Sequence, residues 1–469
     1  MKKLITNCSV LLRRGPADYT VITDARVGID GDTICCVEWS EGKLESACTA
    51  EGCCAEGGCS AQDNCCAGSG YDQVIDAGGA LVMPGLVNAH GHAAMTLLRC
   101  VGGGLPLQRW LEEAIFPVEA VLKPEDVAAG TEMAMLEMLS TGTTCFSEMY
   151  DFPDADFEAI RRSGMRANVS RVGLCFDPEL DPEDWPRTRE CVEFVDTHRD
   201  PADRVRAEFC FHSEYLTTER FVRALQPEIA VRPGVTLNIH LSETAKEHEE
   251  CIGRHGLTPA EYFEKLGVLG PNCLLAHCVW VEDSDLEIIA RTGASMIHNP
   301  SSNMKLGSGF APVAQALDMG INVALGTDGT ASNDDLDMFE ELRLAALIHK
   351  GEENDPTLLS AGQLLDMATV NGAKAMGRPD TGAVAPGMKA DLILLDLSGP
   401  HMQGPWLAEG GALPPEALVY CAKGSDVLMT MVGGDVLYDR GRFLTIDRDR
   451  VYADFAASLR GIAERMKER

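Results

Sequence analysis

Eight short apolar segments alternate with longer amphipathic segments through the middle of this 469-residue chain. The apolar segments have the length of buried strands, and the segments between them carry apolar residues at helical spacing. Eight such alternations predict a parallel (β/α)8 barrel, similar to TIM barrels, in which each strand is followed by a helix. The predicted strands are 81–88, 143–149, 167–174, 205–211, 236–240, 273–277, 294–298 and 323–328.

The two ends of the chain have a different pattern from the middle. Residues 1–80 and 381–446 contain short strand candidates separated by turns, with a hairpin expected at 432–436. We therefore predict a small discontinuous β-sandwich domain built from both terminal segments, a catalytic barrel over 81–380 and a terminal helix over 447–469. A Gly-, Ala- and Cys-rich segment at about 46–70 has no periodicity, which predicts an inserted loop.

Charge and hydropathy narrow the classes of function. The 40 basic and 72 acidic side chains give a formal net charge of −32, which argues against nucleic acid and anionic membrane surfaces as partners. No apolar run approaches the length of a membrane span, and Arg13 and Arg14 interrupt the apolar residues near the N-terminus. These features predict a cytoplasmic protein.

Histidines and carboxylates cluster where the predicted strands end, which in a barrel is the active-site face. The first strand is followed by His90-Gly91-His92, and side chains at i and i+2 of an extended backbone point to the same side. Two such imidazoles can bind one transition metal ion. An isolated His-x-His motif, however, also occurs in ordinary polar loops. Six of the 11 histidines lie at strand ends, which favours the metal. The strand-end residues are His90, His92, Glu148, Arg171, His212, His240, Glu243, His277, His298 and Asp328.

These motifs resemble those of the amidohydrolase superfamily. The resemblance rests on PGLVNAHGH at 84–92, HLSET at 240–244, His277 after an apolar strand and GTDG at 326–329, in the family's order. Gly91 departs from the Thr that usually separates the two histidines. Within the superfamily the chain is most similar to 5-methylthioadenosine/S-adenosylhomocysteine deaminases, on HNPSSNMKLGSG at 298–309, the pair His240 and Glu243, and PVE at 117–119.

The resemblance implies a mononuclear metal site and a set of catalytic groups. The ligands would be His90, His92, His240 and Asp328, with zinc as the default ion and iron as an alternative. Relatives with two metals carry a bridging Lys at the end of strand four, and this chain has FHSE at 211–214 instead. Asp328 would accept the proton of the attacking water. Glu243 would protonate N1 of adenine and pass a proton to the leaving amine, while His277 would orient the water.

The same resemblance implies contacts to a small-molecule nucleoside. Glu119 would bind the ribose hydroxyls, and Arg171 and His212 would contact the nucleoside, as would Glu243 and Asp328. His298 and Asn303 would support these groups from behind. The implied reaction is hydrolysis of an adenine nucleoside to the inosine-type product and ammonia. Relatives also suggest a homodimer or homotetramer.

Two alternatives remain open from the sequence. The same mononuclear site could serve a guanine- or pterin-type deaminase or a triazine-type chlorohydrolase. A different class of function is a metal- or redox-sensing binding protein that uses the Cys-rich segment, although no Cys-x-x-Cys spacing occurs there. The cysteines of that segment are Cys48, Cys53, Cys54, Cys59, Cys65 and Cys66.

Overall fold

The computed structural model describes residues 1–40, 42–45, 70–177, 179–181, 185–408 and 412–469. All six cysteines of the segment predicted as an inserted loop lie outside these residues. Among the described residues, no helix combines the length and apolar character that crossing a membrane requires.

The N-terminal strands form one side of a mixed sheet. β1 pairs antiparallel with β2 and parallel with β5 and β6, and β3 continues the sheet from β2 to β4. These strands are β1 (Lys2–Gly15), β2 (Asp18–Asp30), β3 (Thr33–Trp39), β4 (Gly42–Glu45), β5 (Gln73–Asp76) and β6 (Leu81–Pro84).

The apolar run predicted as one strand at 81–88 is divided between two sheets. β6 ends at Pro84 in the first sheet, and β7 (Leu86–Asn88) is the first strand of the barrel. Gly85 lies at the crossing point, where an added Cβ would come within 2.1 Å of Cγ2 of Thr144 on the next barrel strand. Both halves are fully buried, so hydrophobicity alone could not reveal the break.

The barrel has eight strands in chain order, each parallel to the next. After β7 come the two-residue strand β8 (Gly91–His92) and then β9 (Thr143–Tyr150), β10 (Arg166–Arg171), β11 (Val205–Phe211), β12 (Leu237–Leu241), β13 (Cys273–His277), β14 (Ser295–His298), β15 (Asn322–Leu325) and the short β16 (Asp328–Gly329). The amide of Ala89 donates to the carbonyl of Leu325 at 2.9 Å, which joins the first and last barrel strands. The predicted (β/α)8 fold is confirmed.

Helices follow the barrel strands and cover the outside of the barrel. Several begin with Pro in the first turn, and α4, α7 and α9 end at a glycine in the left-handed conformation, as helix ends commonly do. The helices are α1 (Leu107–Trp110), α2 (Phe116–Glu119), α3 (Pro124–Ser140), α4 (Pro153–Ser163), α5 (Pro186–His198), α6 (Glu219–Ala230), α7 (Ala245–His255), α8 (Pro259–Lys265), α9 (Asp283–Thr292), α10 (Pro300–Lys305), α11 (Val313–Asp318), α12 (Met338–Glu352), α13 (Ala361–Ala368), α14 (Val370–Ala375), α15 (Pro415–Tyr420) and α16 (Arg448–Glu468). Shorter turns are the 3-10 segments Ala93–Leu98, Pro400–Met402, Pro405–Leu407 and Gly424–Asp426 and the π-helical turn Leu111–Ile115.

The C-terminal strands return to the first sheet. β17 (Leu392–Leu395) pairs antiparallel with β6, and the sheet continues through β18 (Val427–Val432), β19 (Asp435–Asp439) and β20 (Arg442–Phe443). Gly433 and Gly434 form the predicted hairpin turn with φ values of 53° and 77°, a conformation that favours glycine. The two ends of the chain therefore share one continuous ten-stranded sheet.

Alternation along the strands gives this sheet two apolar faces. Leu81 and Met83 of β6 pack into the main core with the barrel, while Val82 packs into a separate core with residues of β1, β2, β3, β17 and β18. The amide of Ile34 on β3 donates to the carbonyl of Met388, just before β17, at 2.8 Å. The sheet thus curls around the face that carries Val82. The opposite face, which carries Leu81 and Met83, packs against the barrel.

Candidate active site

The barrel strands end in a cavity of about 330 Å³, within the usual range for small-molecule sites. It is lined at one end by polar side chains from several strand ends and elsewhere by apolar side chains, many of them from residues 107–122 after the first strand. The polar lining residues include His92, Glu119, His212, His240, Glu243, His277 and Asp328.

Four of the sequence-predicted residues converge where the barrel strands end, and all of them except His90 line this cavity. His90, His92, His240 and Asp328 are buried, and each offers a ligand atom within 4.8 Å of the others. β8 and β16 pair directly and bring His92 and Asp328 together, with Nε2 of His92 lying 3.1 Å from Oδ1 of Asp328. Within the described residues, this is the only group of three or more His, Cys, Asp or Glu side chains arranged to hold a metal ion.

The imidazoles of His92 and His240 have a defined orientation. Nδ1 of His92 lies 2.7 Å from the carbonyl oxygen of Met149, and Nδ1 of His240 lies 2.6 Å from that of His212. A carbonyl oxygen only accepts hydrogen bonds, so each Nδ1 donates and each Nε2 presents a lone pair. These two Nε2 atoms lie 3.3 Å apart. When both imidazoles are neutral, their lone pairs face each other, and a metal ion between them would bind both.

His90 completes this argument for a cation. The side chain is fully buried, and neither ring nitrogen has a hydrogen-bond partner among the described residues. Burial lowers the pKa of His90 to about 4, so the imidazole is neutral and can act as a ligand. Three imidazoles and one carboxylate form a donor set that suits one divalent metal ion.

Two serines that the sequence analysis did not select hold Asp328. The hydroxyls of Ser302 and Ser332 donate to its Oδ2 at 2.6 and 2.9 Å, and Oδ1 faces the histidines. Asp328 has a positive φ of 61°, which a non-glycine residue adopts only at some cost. Ser302 and Ser332 lie in the polar runs around 298–309 and 328–333. The one signal for them in the sequence is therefore that they lie beside the motifs.

Glu243 enters the cavity from the turn between β12 and α7. Its Oε2 lies 3.9 Å from Nε2 of His277. Burial, together with the charge of Asp328, raises the pKa of Glu243 to about 8, so the group can carry a proton at neutral pH. The backbone amides of Ser242 and Glu243 donate to the carboxylate of Glu247 at 3.1 and 2.7 Å. Glu247 thus holds the turn that presents Glu243, a role that sequence reasoning missed.

His277 faces the same space from the end of β13. Its Nδ1 lies 2.9 Å from Oδ1 of Asn303, an acceptor, so Nε2 presents a lone pair toward Glu243 and Asp328. Nε2 lies 4.0 Å from Oδ2 of Asp328. Burial lowers the pKa of His277, and the residue has a positive φ of 72°. Asn303 therefore supports the site through His277, in the place where the sequence analysis expected it.

Besides Glu243 and Asp328, two more of the predicted substrate contacts line the cavity. Glu119 accepts a hydrogen bond from the hydroxyl of Tyr150 at 2.7 Å, and burial raises its pKa. His212 also faces the cavity, and burial lowers its pKa to about 3. The structure brings both side chains to the cavity at which the four candidate metal ligands converge. We call these four residues, His90, His92, His240 and Asp328, the metal-ligand group.

Arg171 does not line the cavity. On β10, Asn168 bonds the barrel-interior residue Glu208, so Arg171, three positions further, points to the opposite side. There its guanidinium lies 3.2 Å from Glu190 on α5 and 3.8 Å from Asp154 on α4. The contact between Arg171 and a nucleoside therefore stays a prediction.

Two further strand-end residues lie behind the cavity. Glu148 is fully buried and accepts a hydrogen bond from the amide of Ala93 at 2.6 Å, next to His92. His298 pairs with His349, with their Nε2 atoms 3.1 Å apart. Neither side chain lines the cavity, and both lie in the packing around the site.

Comparison with known proteins gives one family. The model described as the amidohydrolase family matches residues 81–437. A 5'-deoxyadenosine deaminase of Methanosarcina acetivorans is 45% identical over 383 residues, which are 81% of this chain and 86% of that protein. A 5-methylthioadenosine/S-adenosylhomocysteine deaminase of Acetivibrio thermocellus is 43% identical over 382 residues, with the same coverage of 81% and 86%.

Solved structures give the same fold over nearly the whole chain. An adenosine deaminase from Xanthomonas campestris with bound zinc has a TM-score of 0.84 and 30% identity, and the match covers 100% of this chain and 99% of that one. Atrazine chlorohydrolase from Arthrobacter aurescens, complexed with zinc, has a TM-score of 0.83 and 25% identity, with coverage of 97% and 100%.

Proposed function

This chain belongs to the amidohydrolase family, and we propose that it is a metal-dependent hydrolytic deaminase of adenine nucleosides. The observation that carries the proposal is one cavity lined by Glu243, which faces His277, and by three members of the four-residue group of candidate metal ligands. Relatives above 40% identity over about four fifths of the chain are named as deaminases of 5'-deoxyadenosine and related nucleosides. The products would be an inosine-type nucleoside and ammonia.

One divalent metal ion, for which we propose zinc, would be held by His90, His92, His240 and Asp328. Nitrogen ligands with one carboxylate suit zinc, and a zinc-containing adenosine deaminase shares the fold. A divalent ion in such a site lowers the pKa of water toward neutrality and supplies a nucleophile.

Glu243 supplies the proton that the purine ring needs. Attack at C6 disrupts the aromatic ring, so N1 must gain a proton as the new C–O bond forms. A buried carboxyl with a pKa near 8 holds that proton at neutral pH and is within the cavity where the ring must lie. The carboxylate that remains then moves a proton to the departing amine, which leaves as ammonia.

His277 and Asp328 act on the water. Oδ2 of Asp328 lies 4.0 Å from Nε2 of His277, so one small molecule can contact both groups. Asp328 accepts the proton of the attacking water, and the neutral His277, held through Asn303, orients it. Both residues have a positive φ, a conformation that persists only where the surrounding structure holds it.

Glu119 and His212 are the proposed contacts to the sugar. A carboxylate can accept hydrogen bonds from two neighbouring hydroxyls, and Glu119 already accepts one from Tyr150 within the cavity wall. Because Glu119 lines the cavity, a substrate with a ribose suits the cavity better than a free base does. This favours a nucleoside over guanine or a triazine.

The test is ammonia release by the purified full chain, with metal analysis of the same sample. The substrates are adenosine, S-adenosylhomocysteine, 5-methylthioadenosine, 5'-deoxyadenosine and, as the comparison, guanine. We expect release from adenine nucleosides and about one metal ion per chain. Release from guanine alone, or from none of them in a metal-loaded sample, would refute the proposal. Light scattering of the same sample tests the predicted dimer or tetramer.

A further inference from the structure

The last helix has a second apolar face besides the one that packs against the barrel. α16 packs on α3, and its buried residues are Val451, Ser458 and Ile462. On another side of the helix, apolar residues recur at spacings of four, three and four positions, which keeps them on one face. These residues, which we call the outer stripe, are Tyr452, Ala456, Leu459 and Ala463.

The outer stripe is open to solvent in the single chain. Tyr452 is 57% exposed and Leu459 is 40% exposed, while Ala463 is exposed and Ala456 is half-buried. Apolar residues that are scattered singly over a surface are ordinary, but four that line up along about three turns of a helix favour a contact. A helix that is apolar on two sides usually packs on both of them.

Ion pairs near both ends of α16 hold the helix in place. Arg450 donates to the two carboxylate oxygens of Glu132 on α3 at 2.8 and 2.9 Å. Arg465 pairs with Asp126, at the start of α3. The helix therefore presents the outer stripe in a fixed direction, and a fixed surface loses little conformational entropy when a partner binds.

The outer stripe is complementary to itself when two copies of α16 run antiparallel. A two-fold axis that passes the helix between positions 457 and 458 places Tyr452 opposite Ala463 of the second copy. The same axis places Leu459 opposite Ala456 of the second copy. Each large side chain then meets a small one, and this alternation lets two helices pack closely.

The charges at the two ends of the outer stripe fit the same arrangement. Asp449 and Lys467 are both exposed, and they lie about five turns apart, on the same side of the helix. In the antiparallel pair, Asp449 of each copy lies beside Lys467 of the other. A parallel pair would instead place Asp449 beside Asp449 and Lys467 beside Lys467. Exposed ion pairs add little free energy, but like charges that face each other are unfavourable, so these two residues determine the direction of pairing.

We infer that a second copy of this chain docks on the outer stripe, so that two α16 helices pack antiparallel across a two-fold axis. Matching of both size and charge in one register favours a second copy over an unrelated partner. The inference does not depend on the proposed reaction, because the described lining of the active-site cavity includes no residue of the outer stripe.

The experiment is sedimentation velocity of the full chain. The concentrations run from about 1 to 100 µM, because a contact between two helices is small and its dissociation constant should lie in this range. We expect a dimer, or a tetramer that contains this dimer. Leu459→Glu places a carboxylate in the apolar contact, so the mass of the assembly should fall by half.

Ala457→Glu is the matched control for Leu459→Glu. Ala457 is exposed on the same helix but points about 100° away from Ala456 of the outer stripe. This variant should keep the mass of the unaltered chain. Circular dichroism of both variants separates loss of assembly from loss of fold.

A charge exchange tests the direction of pairing. Asp449→Lys and Lys467→Asp each place like charges together twice, because of the two-fold symmetry. Each single change should raise the dissociation constant by about tenfold at low ionic strength. The double variant with both changes restores the opposite charges and should regain the affinity of the unaltered chain.

A monomer over the whole concentration range would overturn the inference. An assembly that Leu459→Glu and Ala457→Glu leave equally intact would overturn it as well, because the contact would then lie elsewhere. Single charge variants that have no effect, or whose effect the double variant does not reverse, would overturn the antiparallel arrangement.

Discussion

Nε2 of His277 lies 3.9 Å from Oε2 of Glu243, so an imidazole whose pKa is lowered by burial faces a carboxyl whose pKa burial raises to about 8. The two residues come from different strand ends, yet each is fixed from behind, His277 by Asn303 and the Glu243 turn by Glu247. A group that holds a proton and a group that holds a lone pair are what a hydrolytic deamination needs at one place.

Asp328→Asn tests the shared role of that carboxylate in metal binding and proton transfer. We expect loss of turnover and weaker metal retention, because an amide cannot accept the water proton and is a poorer ligand. Metal content after dialysis and ammonia release measure the two effects. A variant with a near-normal rate would contradict the assignment of Asp328.

Glu243→Gln separates acid–base chemistry from metal binding. The variant should retain the metal, because Glu243 is not part of the ligand group, and should lose about 10²–10⁴-fold in kcat. Metal analysis and steady-state kinetics of one preparation measure both. Loss of the metal in this variant would show that Glu243 is a ligand and that its proposed role is wrong.

Arg465 on α16 is expected to position Glu119. Its Nε donates to the carbonyl of Val121 at 2.7 Å, two residues after Glu119, and its guanidinium also pairs with Asp126. Arg465→Gln should raise KM for adenosine by about three- to tenfold with a smaller change in kcat, because ribose binding is lost equally in ground and transition states.

The control for Arg465 is Arg460→Gln, an exposed arginine on the same helix, which should leave KM unchanged. A second readout uses 2',3'-dideoxyadenosine, which lacks the hydroxyls that Glu119 would bind. The KM effect of Arg465→Gln should disappear with this substrate. An equal effect on both substrates would indicate general loosening of the fold instead.

Glu341 on α12 should make stability fall as pH rises. Burial raises its pKa to about 8, although the amide of Ser301 and Nδ2 of Asn333 donate to it at 3.2 and 2.7 Å. Between its unfolded pKa and about 8, the folded state binds the proton and the unfolded state does not. The stabilisation is therefore complete at low pH and is lost as pH rises through the folded pKa.

Glu341→Gln imitates the protonated form of Glu341. The free energy of unfolding should therefore fall less between pH 6 and pH 8 in this variant than in the unaltered chain, by about 1 kcal/mol or more. Denaturant unfolding at the two pH values measures this. Glu249→Gln, at an exposed position, is the control and should keep the full dependence. An unchanged pH dependence in Glu341→Gln would mean that Glu341 titrates normally in the folded chain.

Local patterns predicted the barrel and its metal-ligand candidates because both follow from short sequence segments. Each barrel strand is short and mostly buried, and each candidate ligand lies at or just beyond the end of one, as His240 does in β12. The break at Gly85 was missed because β6 and β7 are equally buried. It depends on the close approach of Thr144, which only the assembled barrel provides.

The groups that hold the site come from distant parts of the chain, and this limits prediction from sequence. Ser302 reaches Asp328 across two strand ends, and Arg465 reaches Val121 from the last helix. Neither contact has a local pattern. The direction of Arg171 does follow a local pattern, because the alternation of β10 places its side chain toward Asp154 on α4 and Glu190 on α5.

The central claim is that water replaces the amino group of an adenine nucleoside in this cavity. Its most direct test is the reaction of 5'-deoxyadenosine in ¹⁸O-labelled water, with mass spectrometry of the nucleoside and assay of ammonium. The account predicts one solvent oxygen in the purine of each product molecule and one ammonium ion per product. A product that keeps its amino group, or whose glycosidic bond has been cleaved instead, would contradict it.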